Sequence, residues 1–267
     1  MNNEKDNKNK MKTMDKEELV RFFDEAVERI NRPSFIENDP VQFPHRYHSL
    51  QNQEIAGLLT ALISWGKRDM ILRNAERMLS MLGQSPYEFI MNADYRSIVK
   101  GSIHRTFNSD DLVFLCRGLK VAYERYSSLE SFFVDRDPFE GIQSLRETII
   151  MANGLSYSRS EKHLANPQKQ SACKRFHMFL RWMVRNDGIV DLGVWHNISP
   201  QKLYIPLDTH VMQVAAYFGL LSRNSSDRKS VEVLTAVLRE FCPEDPVRYD
   251  FALFGLGVQG FIKSANK

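Results

Sequence analysis

The sequence predicts an all-α fold. Apolar residues recur at helical spacing along nearly the whole chain, and no segment sustains the period-two alternation of a half-buried strand. Its 267 residues, 43% of them hydrophobic, suffice for one large domain or two modest ones with a real core.

Taken in order, residues 1–12 are polar and mixed in charge; they read as a disordered lead-in without a secretory signal. The first apolar stripe is Leu19, Phe22, Phe23, Ala26 and Ile30. Ile55, Leu58, Leu59, Leu62 and Ile63 form a second, and Ile71, Ala75, Met78, Leu79 and Leu82 a third. Leu112, Leu115, Cys116, Leu119, Tyr123 and Tyr126 form a fourth. Later stripes run from Phe176 to Val184, Val211 to Phe218, Leu234 to Phe241 and Val247 to Val258. Each is the core face of an amphipathic helix.

Two segments interrupt the pattern. Residues 153–171 hold Gly154 and Pro167; residues 186–207 hold Gly188, Gly193, Pro200 and Pro206. Both read as loops, and they bracket the helix that starts near Lys174. Long loops around one helix of a compact protein often carry function.

Composition narrows the partners. No apolar run is long enough to span a bilayer. Cys116, Cys173 and Cys242 are scattered singly, which suggests neither a disulfide framework nor a zinc site. The expectation is a cytoplasmic monomer with no membrane partner. A net charge of +3 permits a nucleic-acid partner without requiring one. Charge concentrates between Arg159 and Lys202, where eight basic residues face three acidic ones. That balance suits phosphate contacts and equally suits a solvated surface.

Two residues stand out. Ser171 is the expected N-cap of the helix carrying Lys174. An ammonium in a first helical turn meets the positive end of the helix dipole, which favours the neutral, nucleophilic amine. An exposed lysine touching solvent or phosphate fits the same spacing. Asp208 lies between Pro206 and the stripe that begins at Val211, and is expected to cap that helix. If it also faces a cleft, its carboxylate can take a proton or stabilise a cation.

The stretch Cys173-Lys174-Arg175-Phe176-His177-Met178-Phe179-Leu180-Arg181, followed by Leu207-Asp208-Thr209-His210-Val211, resembles the helix-hairpin-helix DNA glycosylase superfamily. In motif it is nearest to the archaeal 8-oxoguanine glycosylases. The chain is similar to an uncharacterised bacterial branch, of the domain-of-unknown-function kind, that carries the phrase FLRWMVR. Leu58–Ala75, with the loop Ser64-Trp65-Gly66-Lys67-Arg68-Asp69, resembles the early helix–loop–helix that endonuclease III-like proteins set against the DNA stack.

The resemblance implies two helical lobes with a cleft between them: 13–49 plus 166–267, and 50–165. It implies Lys174 and Asp208 as catalytic residues of a DNA glycosylase with AP lyase activity, with an oxidised purine such as 8-oxoguanine as its target. Trp65, Lys67, Arg68, Lys169, Arg175 and Arg181 would contact nucleic acid. Trp182, Phe251, Phe254 and Gln259 are candidates for the base pocket, although each aromatic also fits a core stripe. The family's hairpin glycines are absent from Asn166–Lys174, with Lys169 or Arg175 as substitutes. The four-cysteine iron–sulfur pattern is missing too, so no cofactor is expected.

Other readings stay open on the residues alone. One is a non-catalytic or RNA-directed nucleic-acid-binding protein that keeps the glycosylase fold. Another is a metal-dependent hydrolase using His45 and His48, or Asp208 and His210. A structural or interaction protein is the third.

Overall fold

The computed structural model describes residues 14–92, 94–154 and 158–261; the expected lead-in over 1–12 lies outside them. Among the described residues the fold is mostly helical. The helices are α1 (Lys16–Ile30), α2 (Pro33–Glu37), α3 (Gln42–His45), α4 (Leu50–Leu62), α5 (Arg68–Ser80) and α6 (Pro86–Asn92). After a short hairpin come α7 (Ser109–Arg125), α8 (Pro138–Met151), α9 (Lys174–Val184), α10 (Thr209–Tyr217), α11 (Arg228–Phe241) and α12 (Asp250–Val258). The hairpin pairs β1 (Ser102–His104) with β2 (Phe107–Asn108), antiparallel. Strands this short leave no alternating pattern, so periodicity passes over them.

Local sequence explains where helices start. Asp15 accepts from Glu18 N at 2.9 Å while Glu18 reaches back to Asp15 N. The same reciprocal cap joins Asn108 to Asp111 at α7 and Asp137 to Glu140 at α8, where Pro138 opens the first turn. Each such pair satisfies two amide donors that the helix ladder leaves open.

Packing centres on α4, whose residues from Glu54 to Leu62 are all buried. α9 crosses it closely. A Cβ at Gly57 would fall 2.9 Å from Met183 Cε and 3.3 Å from the Phe179 ring, so a larger residue there would make both side chains shift. α12 packs on both α10 and α1. One continuous apolar core runs through the segments 13–49, 50–165 and 166–267 alike.

Two buried polar clusters hold the loop over residues 186–207. Glu54, fully buried, accepts from Trp195 Nε1 at 2.7 Å, Tyr123 Oη at 3.0 Å, Leu129 N at 3.1 Å and the Ser128 hydroxyl. Burial raises its carboxyl, and the four donors oppose that shift. In the second cluster Arg185 pairs with Asp191, Asp187 and Asp245, while Arg181 pairs with Asp191 and Asp250. Asp187 also accepts from Asn31 Nδ2 at 2.9 Å, which ties the loop to the end of α1.

No helix of the described residues is long and apolar enough to cross a membrane. None of the three cysteines is paired.

Candidate functional site

Lys174 is the first residue of α9, but its cap differs from the expectation. The N-cap is Cys173, in a left-handed conformation at φ 47°, and it makes no side-chain cap bond. Ser171 lies two residues earlier and its hydroxyl accepts from Cys173 N at 3.2 Å. Gln170 is left-handed as well, at φ 58°. The turn therefore keeps a backbone that glycine would favour, using residues with side chains. It is braced from outside: Arg228 N donates to Gln170 O at 2.9 Å, and Ser171 bridges Asp227.

Asp208 caps α10 as expected. Its Oδ1 accepts from Val211 N at 2.8 Å on an extended backbone. Its second oxygen, Oδ2, lies 3.3 Å from Lys174 Nζ. The lysine side chain is 34% exposed and the aspartate 12%, so the pair sits at the mouth of a recess with the carboxylate deeper.

That recess is a cleft of about 430 Å³. Phe35, Trp65, Met178, Trp182 and Phe254 supply its apolar lining. Arg68 stacks over the Phe254 ring at 5.5 Å. The Trp182 indole is buried, and its N–H has no hydrogen-bond partner among the described residues. Trp65 is held from three sides: His104 meets it edge-on at 4.6 Å, His163 stacks at 6.0 Å and the Arg175 guanidinium lies 5.1 Å from the ring.

Three carboxylates line the cleft, Asp39, Asp208 and Asp250, and they face three cations, Lys174, Arg68 and Arg181. Burial raises the Asp39 carboxyl against the pull of Val41 N and Arg68. Burial likewise lifts Asp250 to about 6; Arg181 opposes the shift and Asp208 adds to it. Arg181 is shared between Asp191 and Asp250, so it neutralises neither fully. The interior is thus balanced in charge. With no excess of cations, it offers a phosphate no strong net attraction.

The expected site residues divide into those the fold brings together and those it does not. Lys174, Asp208, Trp65, Arg68, Trp182 and Phe254 all line the cleft. Lys67 and Lys169 are exposed. Arg175 donates to Leu62 O and covers Trp65, which makes it a brace for that ring. Arg181 was expected to touch nucleic acid; it is instead buried, 5% exposed, with both partners carboxylates. Phe251 belongs to the core, between Phe35 and the Arg181 and Arg185 guanidinium groups, and does not line the cleft. Gln259 lies past the end of α12, exposed, and does not line the cleft, although its neighbour Val258 does.

Asp39 and Asp250 are additional cleft residues. Each interrupts an otherwise apolar or turn-forming stretch (Asn38-Asp39-Pro40, Tyr249-Asp250-Phe251), which is the one sequence signal they leave. Among the described residues no three His, Cys, Asp or Glu side chains are grouped to hold a metal ion. His45 Nε2 lies 2.7 Å from Val190 O and is occupied there.

The family model described as "Protein of unknown function (DUF2400)" matches residues 39–259, and the chain belongs to that family. No curated protein and no solved structure matches it.

Proposed function

We propose that this chain is a DNA base-excision enzyme, a glycosylase with AP lyase activity, in which Lys174 is the nucleophile. The observation that carries the reading is the Lys174–Asp208 pair, 3.3 Å apart at the mouth of an aromatic cleft. The resemblance of the two motifs to helix-hairpin-helix glycosylases supports it, and so does the charge balance of the cleft.

The target nucleotide leaves the stack and its base enters the cleft among Trp182, Phe254 and Phe35. Lys174 gives a proton to Asp208 and its free amine attacks the sugar C1′. The C1′–N bond breaks and the base departs with the electron pair, taking up a proton. The sugar ring opens to a Schiff base on Lys174, and loss of a C2′ proton eliminates the 3′ phosphate. Asp208, deeper than the lysine, passes the accepted proton to the departing base, and its restored carboxylate faces the positive charge of the Schiff base. An oxidised purine such as 8-oxoguanine is the base class to which the motif resemblance points. The division into lobes, 13–49 with 166–267 against 50–165, belongs to this reading.

The test is base release and strand scission on duplexes carrying 8-oxoguanine or an abasic site, with Lys174→Gln and Asp208→Asn beside the unaltered protein. Scission by the unaltered chain and none by Lys174→Gln supports the assignment. Duplex binding without release or scission would assign a non-catalytic binder instead.

A further inference from the structure

The cleft interior is charge-balanced, so a nucleic acid entering it must be held by its phosphates from outside. The expected rim cations are only partly free: Arg175 and Arg181 are committed to internal partners. The β1–β2 hairpin supplies cations that sequence reading passes over.

Arg105 is at the tip of that hairpin, exposed, in a left-handed conformation at φ 53°. Its guanidinium lies over Gly66: a Cβ built there would fall 2.7 Å from Arg105 Nη1. Gly66 itself lines the cleft beside Trp65 and Arg68. On its other side Arg105 shares a shallow recess with Lys100 and Arg159. Arg159 is paired with Asp111, and Asp110 also borders the recess, whereas Lys100 and Arg105 form no ion pair with any described residue.

The hairpin is held firmly where it stands. His104 Nε2 lies 2.9 Å from Trp65 O, His104 Nδ1 lies 2.9 Å from Asn74 Nδ2, and Arg77 donates to Ile103 O at 2.8 Å. At the start of α7, Ser109 N donates to Gly101 O at 2.9 Å and Asp111 N to Asn108 Oδ1 at 3.1 Å. The side-chain cations Lys100, Arg105 and Arg159 carry the positive charge of the recess. Arg105 thus reaches Gly66 at the cleft that Lys174 also lines, and the exposed Lys67 follows Gly66 in the chain.

We propose that the β1–β2 hairpin is a phosphate clamp, in which Arg105 and Lys100 hold the backbone of a DNA duplex beside the nucleotide that enters the cleft. The proposal rests on the functional reading above for its ligand, but not on its chemistry. Duplex binding by charged rim residues follows a salt law: each phosphate neutralised adds about 0.9 to the slope of log affinity against log salt.

The experiment measures that slope by fluorescence anisotropy, on a duplex carrying a tetrahydrofuran abasic analogue that no lyase can cut. Arg105→Asn removes the charge with a residue that tolerates the left-handed backbone. It is compared alone and with Lys100→Gln, and Arg105→Glu provides charge reversal. The double variant is expected to bind roughly ten-fold more weakly at low salt, with a slope smaller by about 1.8. Arg105→Glu is expected to weaken binding further. Scission and trapping by the unaltered protein, with affinity and slope unmoved in all three hairpin variants, would overturn the clamp alone. Hairpin variants that lose affinity while the unaltered chain releases no base would leave the clamp standing and overturn the chemistry. No duplex binding by the unaltered chain would overturn both.

Discussion

Lys174 Nζ and Asp208 Oδ2 lie 3.3 Å apart although 34 residues separate them in the chain. Each opens a helix, α9 and α10, and the two helix starts converge on one cleft mouth. Asp208 therefore has two functions on two oxygens: Oδ1 caps α10, and Oδ2 faces the lysine.

The two functions separate by substitution. Asp208→Asn keeps an acceptor for Val211 N and loses the charge. Its thermal stability is expected to stay within about 0.5 kcal/mol of the unaltered chain, while base release falls at least 10²-fold. Asp208→Ala loses the cap as well, at a cost of about 1 kcal/mol. Thermal melts and single-turnover release on the same samples check both. Equal melting losses in the two variants would remove the capping assignment.

Arg181 is expected to matter for stability and not for DNA contact. Removing it leaves Asp191 without one of its two cations and Asp250 without its ion-pair partner, both in buried positions. Arg181→Gln is expected to lower stability by about 3 to 5 kcal/mol and to leave the salt slope of duplex binding unchanged. Unchanged stability with a slope reduced by about one would put the guanidinium on a phosphate after all.

Asp250 gives a pH dependence with a definite sign. Burial lifts its carboxyl from 3.8 to about 6. Between those values the folded chain holds a proton that the unfolded chain has released, so this group's contribution to stability falls as pH rises through the window. Asp250→Asn is neutral throughout. The difference in Tm, unaltered chain minus variant, is expected to decrease from pH 4 to pH 7. A difference that grows over that range would mean that the Arg181 pairing outweighs burial.

What was legible in the sequence follows from physical range. Helix faces and helix starts are local, so the stripes, Lys174 and the Asp208 cap could be read directly. Burial of charge is not local. Arg181 looked like a surface cation because its partners, Asp191 and Asp250, lie 10 and 69 residues away. Yet every residue from Phe179 to Val184 is buried, and an arginine inside such a run is a sign of an internal ion pair. Phe251 followed its stripe into the core, whereas Phe254, one turn on, reached the cleft. Cys173 replaced Ser171 as the cap because the left-handed turn at Gln170 and Cys173 sets the chain direction, which residue type alone does not reveal. The hairpin with Arg105 is too short to register as a period.

The most direct test of the central claim is borohydride trapping on a duplex with an abasic site. The unaltered protein is expected to give a covalent adduct that peptide mapping places on Lys174. Lys174→Gln is expected to give none, and Lys16→Gln, at a surface ion pair with Glu240, an undiminished yield. An adduct that persists in Lys174→Gln, or one that maps to another lysine, would contradict the assignment of Lys174 as the nucleophile.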